Sequence, residues 1–181
     1  MKNIRHVLPG LLLLVSVGFG MLTYTLAFIE YEFVALALLG IVIGLMYGIR
    51  AHLWQLREKM PKVSFKKADL LILVITILAA LITFYIHHEL GLGPFIASGL
   101  VGVIAALVLS PEKAAAAYTA SFVGMSAQSV LPAMHIVVFA GLIIGGLVII
   151  TRPVFAGWGG KGGITAASAA LITILVVHYF A

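Results

Sequence analysis

The stretch AAAYTASFVGMSAQSVL, residues 115–131, decides how many times this chain crosses a membrane. It is short and weakly hydrophobic, because serine, threonine and Gln128 interrupt its alanines and larger apolar side chains. A spanning helix needs about 20 mostly apolar residues, so the stretch either crosses as a short helix or enters and leaves by the same face. The sequence around it favours one of these two possibilities.

The composition places the chain in a membrane. Of its 181 residues, 63% are hydrophobic and 9% are charged, whereas soluble domains carry about 25% charged residues. The predicted fold class is all-α, a polytopic transmembrane helical bundle that forms a single transmembrane domain over residues 1–181 with no soluble domain. Six further apolar runs have the length of spanning helices: 7–29, 33–54, 70–90, 93–110, 133–151 and 163–181.

The basic residues favour seven spans over six spans plus a re-entrant segment. If 115–131 crosses the membrane and the N-terminus is cytoplasmic, all eleven Lys and Arg residues lie on the cytoplasmic side, as the positive-inside rule predicts. If 115–131 is re-entrant, Arg152 and Lys161 move to the outer side. We therefore expect seven spans in the cell inner (cytoplasmic) membrane, with the C-terminus outside.

Several classes of function are excluded or disfavoured. The first apolar run continues to Ile29, beyond the about 7–15 residues of a signal-peptide core, so we expect a retained membrane helix. The net charge of +5 is explained by basic residues in the cytoplasmic loops that flank membrane helices. The expected partner is therefore the lipid bilayer and not a nucleic acid. The chain has no cysteine, which excludes disulfides and thiolate chemistry, and we expect no cofactor.

Small residues at helical spacing predict close helix packing. Glycines four residues apart lie on one helix face and let another backbone approach. The pattern occurs in four of the predicted helices, which we expect to form a compact bundle, with a homo-oligomer interface as the alternative use. The positions are Gly40, Gly44 and Gly48; Ala116, Ala120 and Gly124; Gly141 and Gly145; and Gly162, Ala166 and Ala170.

A faint repeat marks a candidate solute pathway. Residues 97–105 read ASGLVGVIA and residues 120–127 read ASFVGMSA, and both lie in short, glycine-interrupted spans of the kind that form transporter sites. Gln128 is the only amide predicted to lie deep in a span, where it needs a partner or water. The alternative interpretation is a hairpin that packs through small residues. The candidate pathway residues are Ser98, Gly102, Ser121, Gly124, Ser126, Gln128 and Ser129.

Histidines collect at the predicted outer level, together with Glu89. Neutral imidazole binds transition metals or haem and titrates near neutral pH, so these residues are candidates for metal binding or pH sensing, against the simpler interpretation of polar residues at the membrane surface. Adjacent histidines point about 100° apart on a helix, which disfavours a shared site. The set is His87, His88, Glu89, His135 and His178.

The loop VFAGWGGKGGI, residues 154–164, fails as a nucleotide site. It lacks the G-x-x-x-x-G-K-[ST] pattern, and its G-x-G-x-x-G match has no strand before it and no acidic residue after it. We interpret it as a cytoplasmic turn in which Trp158 suits the interface. Gly159, Gly160 and Lys161 are a candidate site for an anion or a lipid headgroup.

The leading functional hypothesis is a channel or facilitative transporter for a small solute or ion. A non-transporting accessory or assembly subunit of a membrane complex is the main alternative, and a haem- or metal-binding redox subunit is the third. No charged residue lies in the middle of a predicted span, which disfavours a carboxylate-driven pump. We do not expect an enzyme, since no acid–base pair is placed in an identifiable pocket.

Overall fold

Residues 65–152, 154 and 160–180 are described by the computed structural model of the protein, together with Gly18 and positions 39–40, 42–44, 46–48 and 50. The chain divides into two compact units, Met1–Lys62 with Pro153–Ala156, and Val63–Arg152 with Gly157–Ala181. The second unit holds almost all of the described residues and is called the five-helix unit below. The predicted runs 7–29 and 33–54 lie largely outside the described residues and stay predictions.

Five helices account for most of the described residues of the five-helix unit. They are α1 (Lys67–His88), α2 (Pro94–Val108), α3 (Pro111–Gly124), α4 (Met134–Ile150) and α5 (Lys161–Phe180). Since the described residues include no strand, the all-α prediction is confirmed for them. By length and composition, α1 and α5 could each cross a membrane, whereas α2 and α4 are apolar but shorter. These helices support a membrane location, and the count of seven spans stays a prediction.

Local sequence explains where the helices begin. Pro94 and Pro111 are the first residues of α2 and α3, positions where the missing proline N–H has no helical partner to lose. Gly93, just before α2, has a φ of 83°, a conformation that glycine adopts without steric cost. At the start of α1, Oδ2 of Asp69 accepts a hydrogen bond of 2.9 Å from the backbone N–H of Lys66.

Helix α3 is the centre of the five-helix unit, because it packs against α1, α2, α4 and α5. Helices α1 and α3 run parallel. Ile72 and Ala116 share a buried cluster near the beginnings of these helices, and Gly124 lies against Ala80 and Thr83 near their ends. The least apolar helix therefore occupies the most enclosed position.

Helix α4 runs antiparallel to α1 and lies directly against its backbone. A Cβ added to Gly141 would come within 2.8 Å of the Ile77 Cα atom, and one added to Gly145 would come within 2.8 Å of a Leu73 methyl carbon. Real Cβ atoms do not approach so closely. At Gly141 the obstacle is the backbone of α1, so only glycine fits there, whereas a side chain at Gly145 would require the Leu73 and Thr76 side chains to shift. The predicted close packing is thus confirmed for the glycines of α4.

The central helix differs from the prediction in both of its bounds. The prediction placed the span at 115–131, but α3 covers Pro111–Gly124 and residues 125–133 are not helical. Pro111 begins the helix one turn earlier than hydrophobicity suggested. At the other end, α3 stops at Gly124, eight residues before Pro132. Gln128, predicted to lie deep in the span, therefore lies in an exposed turn beyond the helix.

Candidate functional site

Four charged side chains meet at one end of the five-helix unit, called the charged end: Asp69, Glu112, Arg152 and Lys161. Arg152 follows α4 and donates from Nη2 to Oδ1 of the buried Asp69, and its Nε lies 2.9 Å from Oε1 of the exposed Glu112. The hydrogen bond to Asp69 raises the pKa of the Arg152 guanidinium above its usual value. This single arginine therefore joins the beginnings of α1 and α3 to the end of α4.

Lys161 completes the charged end by capping α4. Its Nζ donates hydrogen bonds to the carbonyl oxygens of Thr151 (2.8 Å) and Arg152 (3.0 Å). A cation is favourable there, because the last carbonyls of a helix carry partial negative charge. Of the other candidates for an anion or headgroup site, Gly159 lies outside the described residues and Gly160 has a φ of 82°. Lys161 thus has a structural contact, and the anion site stays a prediction.

Two predicted pathway serines bind each other inside the unit. Ser98 of α2 and Ser121 of α3 are buried, and their Oγ atoms lie 2.7 Å apart. The Ser121 hydroxyl donates to the carbonyl oxygen of Tyr118 at 2.7 Å, so it is Ser98 that donates to Ser121. One turn further along α2, a Cβ on Gly102 would come within 2.7 Å of the Tyr118 ring. These contacts hold α2 closely against α3.

The remaining pathway candidates lie at or beyond the end of α3. Gly124 is its last residue, and a Cβ there would come within 2.7 Å of the Thr83 Cβ atom and 3.0 Å of the Phe84 backbone nitrogen. Ser126 is half-buried, and its carbonyl oxygen accepts a hydrogen bond of 3.0 Å from Nε2 of His88. Gln128 and Ser129 are exposed. The structure therefore places Ser98 and Ser121 inside the unit, Gly124 and Ser126 at the end of α3, and Gln128 and Ser129 in the exposed turn beyond it.

The sequence analysis named His87 but missed Thr83, which lies one turn before it on α1. Thr83 is fully buried and His87 is half-buried. Within the described structure neither Oγ1 of Thr83 nor the buried Nδ1 of His87 has a hydrogen-bond partner of good geometry, and the His87 ring lies near the Gly124 backbone. The two residues are four apart and so lie on the same face of the helix. Buried polar atoms are nearly always paired with protein or water, so these two atoms are exceptions within the described structure.

The predicted histidine group is only partly assembled. The ring centroids of His87 and His88 lie 3.8 Å apart. The rings are therefore closer than we expected for adjacent residues, which point in different directions on a helix. His135 and His178 are exposed, in the first turn of α4 and the last turn of α5. Across the described ranges, no three His, Cys, Asp or Glu side chains come close enough to hold a metal ion.

The end of the unit that carries His87, His88, Ser126 and His135 is called the histidine end.

The Thr83 and His87 pair carried a weak signal in the sequence. Asp69, Thr76 and Thr83 are seven residues apart, so they share one face of α1, and His87 lies one turn beyond. That face points inward, since Asp69, Thr76 and Thr83 are all buried. Periodicity alone could not assign a function to this face, because threonine is common in packed membrane helices, where its hydroxyl often bonds to a carbonyl oxygen of its own helix.

Comparison of the chain with protein-family models, with curated proteins and with solved structures gives no match.

Proposed function

We propose that this protein is a seven-span inner-membrane channel or facilitative transporter for a small solute or ion. The observation that carries the proposal is the position of α3, the helix with the most polar composition, which packs against every other helix of the five-helix unit. It ends at Gly124 beside buried polar atoms that have no partner in the described structure. Broken, polar segments enclosed by other helices are typical of transporter binding sites.

The direction of α3 supports the seven-span topology. Glu112, at its beginning, is at the charged end, and Ser126, just past its last residue, is at the histidine end. A segment that joins opposite ends of the unit fits a crossing better than a re-entrant loop. We assign the charged end to the cytoplasm, because Arg152 and Lys161 lie there, and the C-terminus to the outer side.

Flux through the purified full chain in liposomes tests the proposal. Entry of glycerol, urea, K⁺ and Cl⁻ is measured and compared with entry into protein-free liposomes. We expect at least one of them to enter faster when the protein is present. Gln128→Ala and Ser126→Ala are measured alongside. Unchanged flux in both variants would remove these two side chains from the pathway without removing the pathway itself.

An accessory subunit is the second candidate, and the outer face of α2 favours it. Ser98 and Ala97 face the bundle, whereas Phe95 and Leu107 are about 80% exposed. Val103 and Val108 are also strongly exposed, so the helix presents a continuous apolar face that a second membrane protein could cover. Purification in mild detergent separates the two candidates. A stoichiometric partner together with no flux would favour the accessory role.

A further inference from the structure

The proposed pathway crosses a zone without charge. Along α1, about 27 Å separates Asp69 from His87, and the sequence has no Asp, Glu, Lys or Arg between them. The same holds for α2, for α3 after Lys113, for α4, and for α5 after Lys161. A bare ion in this zone would lose its hydration without a compensating charge, which is costly in an apolar surrounding.

The polar atoms of this zone are hydroxyls, and most of them are already occupied. Thr76, Ser121, Ser168 and Thr173 each donate to a carbonyl oxygen of their own helix, at 2.7–2.9 Å. Thr83 is the exception, because it is fully buried and its hydroxyl bonds to no described residue. The nearby His87 Nδ1 is equally unpartnered within that part of the chain.

The chemistry of the pair limits what it can bind. A threonine hydroxyl both donates and accepts, and an imidazole nitrogen does one or the other according to its tautomer. Together they match a molecule that carries both donors and acceptors, such as an alcohol or an amide. The space is small, since Gly124 already lies within contact distance of Thr83 and of the α1 backbone.

From these observations we infer that Thr83 and His87 form a binding site for a small uncharged hydrogen-bonding solute, for which glycerol and urea are the probes. This inference rests on the proposed channel or facilitator function and names its class of substrate.

The test uses variants on one face of α1. Thr83→Val and His87→Phe remove the hydrogen-bonding atoms while keeping the shapes of the side chains. Thr76→Val is the matched control, because Thr76 is equally buried on the same helix face but bonds to the Leu73 carbonyl oxygen. Thr83→Ser keeps the hydroxyl. Each variant is accepted only if its helical content and gel-filtration profile in detergent match those of the natural chain.

Glycerol and urea entry into proteoliposomes is followed by stopped-flow light scattering, and K⁺ and Cl⁻ entry is followed in parallel. We expect both neutral solutes to enter several-fold faster than into protein-free liposomes. Thr83→Val and His87→Phe should reduce that entry at least fivefold, Thr76→Val should leave it within twofold, and Thr83→Ser should restore at least half of it.

Three results would overturn the inference. Passage of ions without neutral solutes would contradict the substrate class and leave the channel function standing. Equal effects of Thr83→Val and Thr76→Val would remove Thr83 from the site. Passage of none of the four probes would contradict the proposed function itself, which is a separate outcome from the first two.

Discussion

Gly124 of α3 lies directly against Thr83 of α1, so that a Cβ on the glycine would come within 2.7 Å of the threonine Cβ atom. The same pairing recurs twice in the five-helix unit. Gly145 of α4 lies against Thr76 of α1. Gly162 of α5 lies against Thr119 of α3, and a Cβ added to this glycine would come within 2.9 Å of the threonine hydroxyl oxygen. Threonine on one helix facing glycine on another is thus the repeated contact by which these helices approach.

The first prediction concerns this contact. Gly124→Ala should lower the free energy of unfolding in detergent by about 1–3 kcal/mol, the usual cost of overpacking, because the new methyl group meets the backbone of α1 at Ala80 and Phe84. Gly146→Ala is the control, since a Cβ there meets no described atom within 4 Å. It should leave stability unchanged or raise it by up to about 1 kcal/mol through helix propensity. Equal losses in the two variants would contradict the packing argument.

The second prediction concerns the bond between Ser98 and Ser121. A double-mutant cycle of Ser98→Ala and Ser121→Ala should give a coupling energy of about 0.6 kcal/mol, and at most about 1.7, as for other hydrogen bonds between membrane helices. Pairing Ser98→Ala with Ser168→Ala should give none, because Ser168 bonds to its own helix. Chemical unfolding in mixed micelles measures both cycles. A coupling of zero for the first pair would mean that α2 is not held by this bond.

The third prediction concerns the charged end. Arg152→Gln should lower the melting temperature clearly, because it leaves the buried Asp69 carboxylate without its cation and removes a contact shared by three helices. Glu112→Gln should have a smaller effect, since 65% of the Glu112 side chain is exposed and exposed ion pairs contribute little. Thermal unfolding in detergent, followed by circular dichroism, measures the two losses. A larger loss for Glu112→Gln than for Arg152→Gln would show that the contact of Arg152 with α3 stabilises the protein more than its contact with α1.

The fourth prediction concerns topology. The natural chain has no cysteine, so single cysteines can be labelled without background. In intact spheroplasts a membrane-impermeant maleimide should label Gln128→Cys, which is exposed at the histidine end, and should not label Lys113→Cys at the opposite end of α3. After the membrane is opened, both should react. Labelling of both positions in intact spheroplasts would mean that this segment enters and leaves by one face.

Much of the helix pattern could be predicted from hydrophobicity. The apolar run 70–90 became α1 at Lys67–His88, and the run 133–151 became α4 at Met134–Ile150. The glycines of α4 could also be assigned, because spacing by four residues fixes a common helix face whatever the partner is. The position of Gln128 could not be predicted, because hydrophobicity does not register that α3 stops at Gly124.

The sequence by itself determined the class of this protein: its composition excludes a water-facing surface of ordinary charge, and its apolar runs are long enough for membrane helices. Only the tertiary structure decided which polar side chains meet. Hydrophobicity and spacing report the face on which a residue lies, but the partner of that face depends on how the helices associate. Hence Asp69 and Arg152, far apart in the chain, form one ion pair, and Oγ1 of Thr83 and Nδ1 of His87 are buried without a hydrogen-bond partner among the described residues.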